Sequence, residues 1–122
     1  MKGSRACLVL AALVGASGVA IGAGGAHMLR SWIVPEYLQV FETGVRYQLI
    51  HAVALLALAL QAERARIALP ALLFTLGVLL FSGSLYALAL GAPTRVGIIT
   101  PFGGVALLLG WLSLLRSLTP AR

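Results

Sequence analysis

The stretch that decides the fold is residues 67–90, IALPALLFTLGVLLFSGSLYALAL, an unbroken run with no charged side chain. At 1.5 Å per residue a helix over this run is about 36 Å long, enough to cross a hydrocarbon layer of ~30 Å. Pro70 falls in its first turn, where proline is tolerated because the N–H it lacks has no helical partner anyway. On one side Glu63 to Arg66 make a tight charged turn; on the other, Gly91 to Thr94 read as a stop and turn, with Gly91 as C-cap.

The neighbouring blocks repeat the pattern. Residues 96–115 are apolar but contain Pro101. Either the helix kinks there, or Thr100 caps a helix that begins at Pro101. A start at Pro101 leaves roughly 15 residues where about 20 are needed, so the kinked helix is expected. Upstream, residues 44–61 are interrupted by Arg46 and His51, and the clean core from Ala52 to Leu60 is too short to cross alone. Ser31 to Glu42 form a short amphipathic connector, with Pro35 at a first helical position and Leu38, Phe41 and Val45 at helical spacing. The second helix spans only if it extends back toward residue 35 through that connector while Arg46 snorkels to the headgroups. The first block, residues 6–28, follows Lys2 and Arg5 and so resembles a secretory signal with small residues near Ala20 and Ala23. Its apolar character continues to Ala26, too long for such a signal, and the segment is expected to be retained. The expected fold is therefore all-α: a four-helix transmembrane up-and-down bundle in one domain, with a short amphipathic connector helix between helices one and two.

Composition agrees. Apolar residues make up 61% of the 122 positions and charged residues 10%, against about a quarter in soluble domains. The net charge of +6 comes from basic residues placed singly at block ends, with no basic stripe and no interleaved aromatics, so nucleic acid is not expected as a partner. With four spans, Lys2, Arg5, Arg64, Arg66, Arg116 and Arg122 share one side, and Arg30, Arg46 and Arg95 the other. That bias predicts both termini in the cytoplasm. Cys7 is the lone cysteine, which excludes an internal disulfide and a Cys-pair metal site. It reads as a small apolar residue of a helix.

Placed at helical rise, polar residues from four blocks fall at similar depth in the outer half of the membrane: His27; Tyr47, Gln48 and His51; Ser82, Ser84 and Tyr86; and Thr100. On a helical wheel Gly44, Tyr47, Gln48, His51 and Leu55 share one stripe, while Glu42 and Arg46 lie opposite in the order that favours an ion pair at the membrane rim. An isolated polar group in lipid is costly, so these residues are expected to form one outer-leaflet cluster. Small residues line two further faces: Ala11, Gly15, Gly18, Gly22 and Ala26 on helix one, and Gly97, Thr100, Gly103 and Gly104 on helix four, ending at Trp111. Such faces allow close backbone approach. The histidines are read chiefly as inter-helix hydrogen-bonding groups, with a binding or proton-carrying role as the alternative. No ligand spacing supports a metal or other cofactor, and Ser84 lacks the setting of a nucleophile.

Four stretches taken together resemble a known family: Gly22-Ala-Gly-Gly-Ala-His27, Phe41-Glu-Thr-Gly-Val-Arg-Tyr-Gln-Leu-Ile-His51, Leu80-Phe-Ser-Gly-Ser-Leu-Tyr86, and Thr100-Pro-Phe-Gly-Gly104 with Gly110-Trp111. The chain is similar to the YgdD/YwdK family of small membrane proteins, also called domain of unknown function four-two-three. The resemblance implies an inner-membrane protein of four helices and no reaction, ligand or partner. One departure is Val34, where such proteins often carry a capping residue before Pro-Glu.

Three functions compete on these residues. The first is a structural or accessory membrane protein that packs against a larger complex or a second copy. The second binds or moves a lipid, quinone or small solute through the polar cluster. The third, an interfacial enzyme, needs a carboxylate facing His51, and the wheel turns Glu42 away; no enzymatic activity is expected. Membrane lipids are partners in every case.

Overall fold

The computed structural model describes residues 2–63 and 65–118; Arg64 and Arg122 of the charge distribution, and the side chain of Ala26 on the small face, lie outside the described residues. The described residues form helices and turns with no strand. The first rod, α1, is α-helical over Lys2–Ala20, widens to a π-helical turn over Ile21–Gly25, and is α-helical again over Ala26–Leu29. Next come α2 (Pro35–Leu60), α3 (Ala68–Ala89) and α4 (Ile99–Ser113), the last entered through a 3₁₀ turn over Thr94–Ile98. Each of the four, with its adjoining turns, is long and apolar enough to cross a membrane.

Local chemistry explains the boundaries. The carbonyl of Leu29 ends α1 by accepting from the N–H groups of Trp32 and Ile33, each at 3.1 Å. Val34 is extended (φ −70°, ψ 153°) because Pro35 disfavours helical geometry in the residue before it. Pro35 then opens α2 at N1 with no side-chain cap, so a missing capping residue does not prevent the start. Connector and second span are one continuous helix of 26 residues, so the second helix extends back to residue 35, as spanning requires, and the connector is its first part. At the end of α3, Gly91 adopts φ 102° while its N–H bonds Leu88 O and that of Ala92 bonds Ala87 O, the paired bonds of a Schellman cap. Pro101 does not begin α4. It occupies the third α-helical position after the 3₁₀ turn, where its missing N–H is no loss.

The helices run alternately up and down, and each packs on its neighbour in sequence: α1 on α2, α2 on α3, α3 on α4. Helix α1 meets α3 only briefly, and among the described residues no close backbone approach joins α1 to α4, so the bundle is open on that side. The reason lies on α3, which offers Val78 and Ser82 toward α2 but Gly77 and Ser84 toward α4. Its outward face carries Leu72, Leu76 and Leu79, all exposed. Apolar residues thus cover the outside as well as the core around Leu55 and Phe74, as expected of a bundle solvated by lipid.

Candidate functional site

Most of the sequence-expected polar residues are joined by hydrogen bonds, and they divide into separate networks. Because α2 begins at Pro35, Gln48 and His51 lie near its midpoint, not in its outermost turns. The largest network starts at Tyr86 of α3, whose hydroxyl donates to Gln48 Oε1 at 2.6 Å. Gln48 Nε2 donates onward to Ser17 Oγ at 2.8 Å and to Val14 O at 3.0 Å, and Ser17 Oγ donates to Leu13 O at 2.7 Å. One buried amide therefore ties three helices, using both of its N–H groups and its carbonyl. Beside it Ser82 Oγ donates to Gly44 O at 2.7 Å, possible because Gly44 carries no side chain to shield its carbonyl from α3.

His51, only 3% exposed, makes a second network. Trp111 Nε1 donates to its Nε2 at 3.0 Å, and its Nδ1 lies 2.7 Å from Tyr47 O. Indole N–H is a donor only, so Nε2 must accept and Nδ1 must carry the proton given to Tyr47 O. That defines one neutral tautomer. Phe74 packs against both rings, with centroids at 5.2 Å from His51 and 5.0 Å from Trp111. A third pair, Ser84 and Thr100, joins α3 to α4; Ser84 Oγ also donates to Phe81 O at 2.9 Å, so Thr100 is the donor between the two hydroxyls.

Three expectations are corrected. His27 is exposed near the end of α1, beyond the π turn, and has no hydrogen bond among the described residues. Tyr47 is 39% exposed, its ring against Phe81 at 4.6 Å, so it borders the buried stripe of Gly44, Gln48, His51 and Leu55 without belonging to it. Glu42 and Arg46 are both exposed, with no bond between them among the described residues; water and headgroups can solvate each separately.

The glycine faces are also unequal. A Cβ at Gly18 or Gly22 would stand 2.8 Å from Leu49 or Val45, and at Gly103 it would strike the Phe81 backbone. Gly15, Gly97 and Gly104 have ordinary room, with nearest atoms at 3.6, 3.7 and 3.7 Å. Contacts as close as those of Gly18 occur at Gly44, which shares the polar stripe of α2, and at Gly25, Gly77 and Gly110, which lie outside the two small-residue faces read from the sequence. Sequence reasoning also missed Ser17 and the hydrogen-bonding use of Trp111 and Cys7. Cys7 Sγ lies 3.1 Å from Leu55 O, and Ser4 Oγ 3.0 Å from Ala59 O, so both stitch α1 to the end of α2. Helical spacing was the available signal: Ser4, Cys7, Ala11 and Gly18 recur at three-, four- and seven-residue intervals on one face.

Above the Ser17–Gln48–Tyr86 network an open cleft of about 420 Å³ separates α1 from α3, walled by apolar residues including Leu13, Ile21 and Leu79. Among the described residues no group of three or more His, Cys, Asp and Glu is placed to hold a metal ion.

Comparison with known proteins adds the family. The profile described as "Protein of unknown function (DUF423)" matches residues 21–104, from the π turn into α4. The chain is 46% identical to a UPF0382 membrane protein of Haemophilus influenzae, over 88% of each chain. It is 41% identical to the UPF0382 inner membrane protein YgdD of Escherichia coli, covering 88% of this chain and 85% of that one. For the UPF0382 membrane protein YwdK of Bacillus subtilis the identity is 38%, covering 86% and 89%. No solved structure matches. With a helical membrane architecture and full-length relatives in agreement, this chain belongs to the DUF423 family of UPF0382 membrane proteins.

Proposed function

We propose that this chain is a non-enzymatic accessory protein of the cell inner membrane, packing against a larger membrane complex or a second copy, with both termini cytoplasmic. The observation that carries the reading is the commitment of its interior polar groups. Among the described residues no buried side-chain nitrogen or oxygen lacks a hydrogen-bond partner. Acid–base catalysis needs a group free to exchange a proton with a substrate, whereas both nitrogens of His51 are occupied and Glu42 lies exposed elsewhere on α2. The polar residues spend their bonding on joining helices, which in lipid have little hydrophobic drive to associate. The inner-membrane name of the Escherichia coli relative supports the location. The six-to-three excess of Lys and Arg supports the orientation.

Affinity purification in mild detergent tests this reading. A protein partner in fixed ratio, or a stable dimer, is the expected result. A monomer that retains a small molecule in stoichiometric amount overturns it. That outcome would favour a second reading, binding of an amphiphile in the α1–α3 cleft, which is supported by the polar Ser17–Gln48–Tyr86 floor beneath apolar walls.

A further inference from the structure

At the end of the bundle where α1 begins and α4 finishes, an open recess of about 510 Å³ lies between the α2–α3 turn and the C-terminal 3₁₀ turn (Arg116–Leu118). Arg66 and Arg116 both line it. Ser117 holds the two turns together by donating its hydroxyl proton to Arg66 O, which brings both guanidinium-bearing residues to one rim. The serines around the recess have spent their protons: Ser4 Oγ donates to Ala59 O at 3.0 Å and Ser113 Oγ to Gly110 O at 2.7 Å. The side-chain donors left for a ligand are the arginines, and five N–H groups in a planar fork suit phosphate oxygens. Among the described residues no carboxylate lines the recess; the acid nearest in sequence, Glu63, lines an adjacent hollow, and Glu36 and Glu42 belong to the opposite half of α2.

Two further features narrow the ligand. The described helix ends and turn around the recess carry Lys2, Arg5, Arg66 and Arg116 against one acid, Glu63. Apolar residues Ile67, Leu69 and Pro70, where α3 begins, also line the recess. An anion that also brings apolar substance, at the level where the helices end, fits both kinds of lining residue. We propose that this recess binds the phosphate of an anionic membrane lipid, with Arg66 and Arg116 on the phosphate oxygens and the start of α3 against the glycerol and first acyl carbons. The assignment holds for either orientation of the chain and is independent of the accessory reading.

The test uses the full chain in detergent, with bound phosphatidylglycerol and phosphatidylcholine counted by native mass spectrometry. The wild type should retain phosphatidylglycerol in preference. Arg116→Gln should weaken that binding about fivefold and the double variant R66Q/R116Q about thirtyfold, at the usual contribution of a basic residue near an anionic lipid surface. A charge-matched control, R30Q/R95Q, alters exposed residues at the other end and should bind as the wild type does. Equal binding by all variants, or equal loss in both double variants, overturns the site. Displacement of the lipid by an excess of inorganic phosphate would overturn the lipid assignment and transfer the recess to a soluble phosphate ester. Because Arg116→Gln changes a single exposed side chain, it keeps the test decisive if the double variant fails to fold.

Discussion

Gly103 and Gly104 are adjacent glycines of one small face, yet replacing each with alanine should have opposite effects. A Cβ at Gly103 would lie 2.7 Å from Phe81 Cα and 2.8 Å from Leu80 C, where ordinary contact begins at 3.4 Å. These are main-chain atoms of α3, with Phe81 N closer still, and they cannot rotate aside, so α3 and α4 must part to admit the methyl group. The same interface holds Leu107 against Gly77, Phe74 against Gly110 and Thr100 against Ser84. Overpacking of this kind costs about 1–3 kcal/mol, and immobile backbone places it toward the upper end. At Gly104 the nearest atom, Phe81 Cδ1, is 3.7 Å away, an ordinary contact. Both alanines gain roughly 0.8–1 kcal/mol of helix propensity over glycine. Gly104→Ala should therefore be neutral or stabilising and Gly103→Ala net destabilising by about 1–2 kcal/mol. The assay is unfolding in detergent followed by Trp111 fluorescence, whose indole bonds His51 across the bundle. A Gly103→Ala protein as stable as Gly104→Ala would refute the close α3–α4 approach.

Other outcomes follow from the same geometry. In a double-mutant cycle, Gln48→Leu and Tyr86→Phe should show a coupling of about 0.6–1.7 kcal/mol, the range for hydrogen bonds between membrane helices; additivity would remove the link between α2 and α3. Cys7 is buried against α2, so a maleimide should label it only when the bundle is unfolded, and rapid labelling of the folded protein would contradict the α1–α2 packing. For the proposed orientation, a reporter active only outside the cytoplasm should be silent when fused after Arg122 and active near Thr94. The reverse pattern would invert the topology.

Much of this protein was legible because membrane insertion is a coarse requirement. Hydrocarbon demands long uncharged helices, and residues 67–90 meet that demand with no knowledge of their neighbours. Gly91 signals its turn through a backbone angle that other residues rarely adopt, and Pro35 announces a helix start by lacking the donor that a first turn leaves unpaired. These are local facts of sequence, as are the family motifs and the imbalance of charge between the two ends. What only the tertiary structure decided is which polar atoms and which glycines meet. Depth along an axis does not specify rotation about it, so His27 and Ser84 share an approximate layer in the sequence while one is exposed and the other bonds Thr100. Likewise Ser17 looked like one more small residue of α1 until the rotation of α2 brought the Gln48 amide to it. Gly103 and Gly104 have identical side chains, and only the position of the α3 backbone makes one of them irreplaceable. Helix formation in lipid is set by the backbone's need for internal hydrogen bonds, whereas helix pairing depends on short-range packing that no single segment contains.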